Sequence, residues 1–154
     1  MTTPDVDDAR TPGSVPRSVV RTVLGGFLGF AGVAHLTTAR DEFQAQVPEW
    51  FPLDEDLVVV SSGVVEIALG AALIAAPRRL RPVVGVAAAA FFVAIFPGNI
   101  AQWREGVDAF GLDTDTERFV RLFFQPVLIA GALWSTGGWQ WLRARSSSAA
   151  RTHG

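Results

Sequence analysis

The sequence predicts an all-α integral membrane protein, a four-helix bundle that crosses the bilayer four times and keeps both termini in the cytoplasm. Three observations predict it. Apolar residues make up 49% of the 154 residues. The charged residues, 18% of the chain, are gathered in blocks between long apolar runs, which is typical of proteins that face both lipid and water. The arginines are concentrated in alternate connections between those runs.

Four apolar stretches carry the helix prediction. Each is close to the ~20 residues that a helix needs to cross ~30 Å of hydrocarbon. In lipid, a helix satisfies every backbone group within one segment, whereas a closed barrel would need shorter segments of alternating polarity. The predicted spans cover about residues 18–36, 57–76, 82–102 and 119–138.

The four spans form one predicted domain over residues 18–142, with a tail on each side. Residues 1–17 hold three prolines and little apolar content, which is typical of a disordered segment. We expect residues 143–154 to be disordered as well. A cleaved signal peptide is the alternative interpretation of the first span, but its length and the even number of crossings favour a membrane helix.

Arginine placement orients the bundle. The two outer connections hold four arginines but eleven acidic residues. Because arginine-rich connections stay in the cytoplasm, we expect both termini and the 77–81 link to be cytoplasmic. The other nine of the thirteen arginines lie on that side: Arg10, Arg17, Arg21, Arg78, Arg79, Arg81, Arg143, Arg145 and Arg151.

Composition excludes several function classes. The chain has no cysteine, which excludes disulfides, thiol chemistry and cysteine-ligated metal or iron–sulfur centres. Two histidines alone do not make a metal site. A net charge of -2 gives no footprint for nucleic acid. The lipid bilayer is therefore the one partner that composition predicts directly.

Local patterns predict how the helices begin, bend and pack. In the first outer connection, Phe43, Val47 and Trp50 have helical spacing, which favours a short interfacial helix within Asp41–Trp50. Pro97 and Pro126 predict kinks in the third and fourth spans. Small residues predict close helix approach, and the clearest are Gly25 and Gly29 of the first span and Gly63 and Gly70 of the second. These glycines also allow a homo-oligomer.

Glu66 is the residue that most strongly indicates function. It lies nine positions after Leu57, which at 1.5 Å per residue is ~14 Å deep, near the middle of the bilayer. A carboxylate there costs on the order of 3 kcal/mol, so we expect it to face a polar group from another span, with Gln125 or Arg121 as the first candidates. The alternative is that Glu66 only joins helices through hydrogen bonds.

The other polar residues of the spans all lie in the predicted outer half. Between Glu66 and Pro77, and between Pro82 and Phe96, no ionisable or amide side chain occurs. This pattern predicts a pocket open to one side and weighs against an ion pore. The candidate ligand-binding residues are His35, Glu66, Asn99, Arg121 and Gln125.

Five motifs then resemble the DoxX-like family of small bacterial membrane proteins. In order and spacing the resemblance covers about residues 32–134, and the intramembrane polar positions of that family fall on the five candidate residues. The chain departs from the usual pattern at Leu36, where Phe is common, and in a proline that follows Gln125 directly. The motifs are GVAH (32–35), VPEWFP (47–52), SGVVEIALG (62–70), FPGNIAQW (96–103) and RLFFQP (121–126).

The resemblance implies a redox-associated component of the bacterial cytoplasmic membrane. Members of the DoxX-like family are described with quinone-coupled thiosulfate oxidation and with oxidative-stress complexes. For this chain, that implies an accessory or non-catalytic subunit, with quinone as the implied cofactor and a membrane redox protein as the implied partner.

Three functions stay open from the sequence. The first is a subunit that binds a small lipophilic or anionic molecule, quinone by resemblance, in the outer-facing pocket. The second is a non-catalytic scaffold whose buried polar residues stabilise the bundle while its loops dock a partner. The third is a carrier of small solutes, which the apolar inner half disfavours.

Overall fold

The structure is a computed structural model that describes residues 14–152. These residues are all-helical, without a strand, as predicted. Four helical segments are long and apolar enough to cross a membrane, so the chain has the composition of a multi-pass membrane protein. The helices are α1 (Val15–Leu36), α2 (Arg40–Gln44), α3 (Glu55–Ala75), α4 (Arg81–Glu105), α5 (Asp115–Leu122), α6 (Phe124–Thr136) and α7 (Gly138–Thr152).

The bundle has two ends of different character. The loop end is formed by the connections 37–54 and 106–114. The terminus end is formed by the 76–80 link, the start of α1 and the α7 helix. The core between them packs small and branched side chains of α1, α3, α4 and α6: Leu24, Leu28, Leu73, Ala88, Ala89, Phe92 and Ala132.

The outer surface of the bundle is apolar. On α1, for example, Phe27 and Phe30 are 52% and 76% exposed, and Val23 is also exposed. Such side chains would be costly in water but suit hydrocarbon. The exposed faces are therefore consistent with lipid contact around the four long segments.

Helices α1 and α3 approach each other through glycine. A β-carbon at Gly32 would lie 2.5 Å from the carbonyl oxygen of Gly63, and one at Gly70 would lie 2.6 Å from that of Gly25. The two contacts pair glycines seven residues apart on antiparallel helices. The predicted close approach is confirmed, and Gly32 also takes part in it. Gly29 contributes its backbone, which a β-carbon at Gly70 would approach to 2.8 Å, but its own β-carbon position is open.

The two prolines act differently. Helix α4 continues through Pro97 without a break. The fourth span is divided at Phe123 into α5 and α6. Pro126 lacks the N–H that would bond the carbonyl of Leu122, the last residue of α5, which explains why the helix is interrupted there. The start of α5 carries the capping box of Thr114 and Glu117 that the sequence indicates.

The predicted tails and the interfacial segment differ from the structure in extent. Helix α1 begins at Val15, so residues 15–17 are helical, and residues 1–13 lie outside the described part. Helix α7 continues through residues 143–152, where the sequence predicted disorder. Hydroxyls of Ser146 and Ser148 bond carbonyls of the preceding turn there. The interfacial helix is limited to the five residues of α2.

Candidate functional site

Glu66 pairs with His35 inside the bundle. Glu66 Oε2 lies 3.0 Å from His35 Nδ1, and both residues are buried. His35 Nδ1 is also 2.8 Å from the carbonyl oxygen of Ala31. A carbonyl can only accept, so Nδ1 carries the proton and donates it to the carbonyl of Ala31. Glu66 Oε2 lies close to the same nitrogen but accepts no hydrogen bond from the described residues. His35 thus keeps Nε2 as the free acceptor when the ring is neutral.

The close crossing of α1 and α3 brings this pair together. Gly32 and Gly63 let the two backbones touch, and a β-carbon at Gly63 would lie 2.8 Å from the β-carbon of His35. The expectation that Glu66 meets a polar side chain of another span is confirmed. The expectation that Gln125 or Arg121 provides it is wrong, because α1, and not the fourth span, packs tightly against α3.

Arg121 lies among amides at the loop end. Its Nη1 donates to Gln102 Oε1 at 2.8 Å, and Gln46 Nε2 donates to the same oxygen at 2.7 Å. Turning the Gln46 amide by 180° lets its oxygen accept from Arg121 instead, which better satisfies the guanidinium. Gln102 is only 2% exposed. The three residues come from α5, α4 and the first connection.

Arg121 also differs from its neighbours in charge pairing. Arg118 bonds both Asp108 and Asp115, and Arg40 bonds Asp56 through two nitrogens. Arg121 forms no ion pair with any carboxylate of residues 14–152, and its cationic group lies 5.0 Å from the ring centre of Phe110. A guanidinium that meets only amides and a ring keeps a full positive charge to offer to an anion or a polarised oxygen.

Two phenylalanines connect the His35 pair to Arg121. The Phe43 ring stacks on the His35 ring with centroids 3.3 Å apart and planes 15° apart. The Phe110 ring meets Phe43 edge-on at 4.6 Å and lies under Arg121 on its other side. We call the row of His35, Phe43, Phe110 and Arg121 the aromatic stack.

The backbone at Phe110 is strained. Phe110 has φ of 59°, the one positive value for a residue other than glycine within the described part. Its N–H donates to Glu42 Oε2 at 2.8 Å, which ties the second loop to α2. A bulky residue in this left-handed region costs on the order of 1–3 kcal/mol and is held by its surroundings. The Phe110 ring therefore keeps its place in the aromatic stack in spite of an unfavourable backbone conformation.

The remaining two candidate residues stand apart from the stack. Gln125 is buried and donates from Nε2 to the carbonyl oxygen of Phe92 at 2.8 Å, which joins α6 to α4. Asn99 is half-buried, and its side chain makes no hydrogen bond with the part of the chain that the structure describes. Of the five candidates, the structure therefore connects His35, Glu66 and Arg121, but not Asn99 or Gln125.

The predicted residues do not line an open pocket. The phenyl rings fill the space between His35 and Arg121. A cleft of about 450 Å³ at the loop end lies elsewhere, along Gln44, Pro48, Glu49, Phe51, Leu53, Asp54, Glu55 and Asp56.

Sequence reasoning missed the residues that complete the arrangement. Phe43 was assigned to an interfacial stripe, and Gln46 and Phe110 come from connections. The available signal was that two phenylalanines and two glutamines stand in or beside segments that otherwise hold charged residues. No group of three metal-ligating side chains is close enough to hold an ion among residues 14–152.

Comparison with known proteins gives a family without an assigned activity. A family model described as a domain of unknown function, DUF8561, matches residues 24–136. The match contains α2 to α6 and all five candidate residues, and it ends before α7. No curated protein and no solved structure matches the chain significantly.

Proposed function

The chain belongs to the DUF8561 family, and from its geometry we propose that it is a membrane subunit that binds a flat lipophilic molecule of the quinone class at the loop end. The ligand ring would take the space between His35 and Arg121 that Phe43 and Phe110 now fill. The observation that carries the proposal is the aromatic stack, in which flat rings already fill the space between a buried histidine–carboxylate pair and a cation without a carboxylate.

The polar groups beside the aromatic stack suit a quinone. Its carbonyl oxygens need hydrogen-bond donors within an apolar site, and the guanidinium of Arg121, which has five N–H groups, can donate to one of them. In the reduced form each oxygen carries a proton instead. The free Nε2 of His35 can accept that proton, and Glu66 at 3.0 Å from Nδ1 stabilises the resulting imidazolium. The proposal concerns binding and proton exchange, and it assigns no electron transfer to this chain.

The proposed orientation puts the loop end outside the cytoplasm of a bacterial cell. Nine of the thirteen arginines belong to the terminus side, and arginine-rich connections stay in the cytoplasm. The terminus end is therefore placed on the cytoplasmic side. The resemblance to the DoxX-like family stays a prediction, and it contributes the ligand class and a membrane redox protein as the partner. In this orientation the ligand would enter from the outer leaflet.

A binding titration tests the proposal. The detergent-purified protein is titrated with a short-chain quinone and followed by calorimetry. Replacing Arg121 by Gln removes a charged donor, and we expect the Kd to rise about 10-fold or more. Arg104→Gln is the matched control, because Arg104 is exposed at the same end. Absence of binding to the unmodified protein, or equal affinity for both variants, would contradict the proposal.

A second candidate function is a non-catalytic scaffold. One observation favours it: His35 Nδ1, Arg121 Nη1 and Gln125 Nε2 already have partners within the protein. A scaffold would retain a partner protein during mild extraction without needing the stack to open. Co-purification of that partner with Arg121→Gln, at the level of the unmodified protein and without any quinone binding, would support this alternative.

A further inference from the structure

Four arginines of the terminus end, Arg21, Arg78, Arg79 and Arg81, lie far from any carboxylate of the described residues. The twelve acidic residues of the described part lie at positions 41–66 and 105–117, so none belongs to the terminus end. The 76–80 link holds Arg78 and Arg79, both exposed, and α4 begins with Arg81, which is half-buried. From α1, Arg21 reaches into the same region and is only 7% exposed.

Two of these side chains converge on the last turn of α3. Arg21 Nη1 donates to the carbonyl oxygen of Leu73 at 3.0 Å. Arg81 Nε donates to the carbonyl oxygen of Ala76 at 3.3 Å. The two guanidinium groups, from α1 and α4, are thus held on neighbouring carbonyls of one helix end, close enough to repel each other.

The carbonyls do not balance the charge. A helix C-terminus offers the equivalent of about half a negative charge, whereas Arg21, Arg78, Arg79 and Arg81 bring four positive charges. The guanidinium groups of Arg21 and Arg81 each have five N–H donors, and each uses one of them in a hydrogen bond to the C-terminal end of α3. Neither forms an ion pair with a carboxylate of residues 14–152. Both guanidinium groups lie at the end of two spans, where a bilayer presents its headgroups.

We propose that the end of α3, flanked by Arg21 and Arg81 and covered by the exposed Arg78 and Arg79, is a binding site for the phosphate of an anionic phospholipid. Arginine suits this ligand because its planar fork bonds two phosphate oxygens at once. The lipid supplies the counter-charge that residues 14–152 lack here, and its acyl chains lie along the exposed apolar faces of α1 and α3. The site is independent of the quinone proposal, since it lies at the opposite end of the bundle.

Thermal unfolding in lipid–detergent micelles tests the site. Phosphatidylglycerol is compared with phosphatidylcholine, which carries no net charge. We expect phosphatidylglycerol to raise the apparent Tm by about 4 °C. Arg81→Gln should lose most of that rise, and Arg78→Gln with Arg79→Gln should lose part of it. The control is Arg145→Gln, because Arg145 carries the same charge at the same end but stacks 4.4 Å from the Trp141 ring.

The outcomes distinguish a specific phosphate-binding site from a general attraction between basic residues and anionic lipid. A rise that survives in Arg145→Gln but not in Arg81→Gln supports the proposal. Equal losses in the two variants would show only a general attraction of basic surface to anionic lipid and would overturn it. The same rise with inorganic phosphate in phosphatidylcholine micelles would assign the site to a free anion. If Arg81→Gln fails to fold, the double variant at Arg78 and Arg79 still decides, since both side chains are exposed.

Discussion

The loop end and the terminus end use arginine in opposite ways. At the loop end, Arg40 and Arg118 are matched by carboxylates of the same chain. The hydrogen bond and charge of Asp56 raise the pKa of Arg40 above its ordinary value. At the terminus end, Arg21 and Arg81 bond carbonyls at the end of α3 and form no ion pair with residues 14–152. Carboxylates of the protein neutralise Arg40 and Arg118 at the loop end, whereas Arg21 and Arg81 are left for the membrane. Of the loop-end arginines without an ion pair, Arg104 is exposed, and Arg121 is half-buried at the candidate site.

The largest expected effect tests whether the loop end and the terminus end lie on opposite sides of a membrane. The chain has no cysteine, so single cysteines at Asp113 and Arg79 give a clean label. In intact cells, we expect an impermeant thiol reagent to label the cysteine at 113 and to spare that at 79, an all-or-none difference. Labelling only at 79 would invert the orientation and turn the aromatic stack toward the cytoplasm.

The next largest effect concerns the buried pair. His35→Ala leaves the buried Glu66 carboxylate without its imidazole neighbour. We expect this change to lower the free energy of unfolding by about 3 kcal/mol. In a protein that already carries Glu66→Gln, the same change should cost about 1 kcal/mol, because no charge is stranded. Unfolding in mixed micelles measures both. Equal costs in the two backgrounds would mean that the pair is not coupled.

The glycine crossing predicts a smaller loss. Gly32→Ala drives a β-carbon against the Gly63 carbonyl, and we expect a destabilisation of about 2 kcal/mol. Gly29→Ala is the matched control on the same helix, since its β-carbon meets nothing within 4 Å, and alanine favours a helix. If both variants unfold alike, the helices do not cross as described here.

The smallest effect is expected at an exposed ion pair. The side chains of Arg40 and Asp56 are 40% and 47% exposed, so water and salt screen their attraction. We expect Arg40→Gln to shift the Tm by little more than the error of the measurement, and less at high salt. A loss comparable with that of His35→Ala would mean that the loop end depends on its surface pairs.

The sequence predicts the spans well because the membrane imposes one strong pattern. The predicted limits of the first three spans agree with α1, α3 and α4 within a few residues, since hydropathy changes sharply there. The interruption at Phe123 was predicted as a kink at Pro126. The helix over 143–152 was missed, because a polar segment next to a span carries no apolar periodicity to identify it.

The candidate site could be predicted only in part. The energetic cost of a polar side chain inside a bilayer is enough to identify Glu66 and the other polar residues of the spans as candidates. It does not reveal which helices are neighbours, and so the partner of Glu66 was assigned to the fourth span and not to His35. Phe43 and Phe110 could not be placed, because they belong to connections whose path depends on contacts such as that of Phe110 with Glu42.

The central claim is that the aromatic stack marks the ligand site, and photolabelling tests it most directly. The purified protein in lipid micelles is irradiated with an azido-quinone, and the modified peptides are mapped by mass spectrometry. The account predicts adducts within residues 35–47 and 106–125, which competition with unlabelled quinone abolishes. Adducts spread over the lipid-facing residues of α1, unaffected by competition, would contradict it.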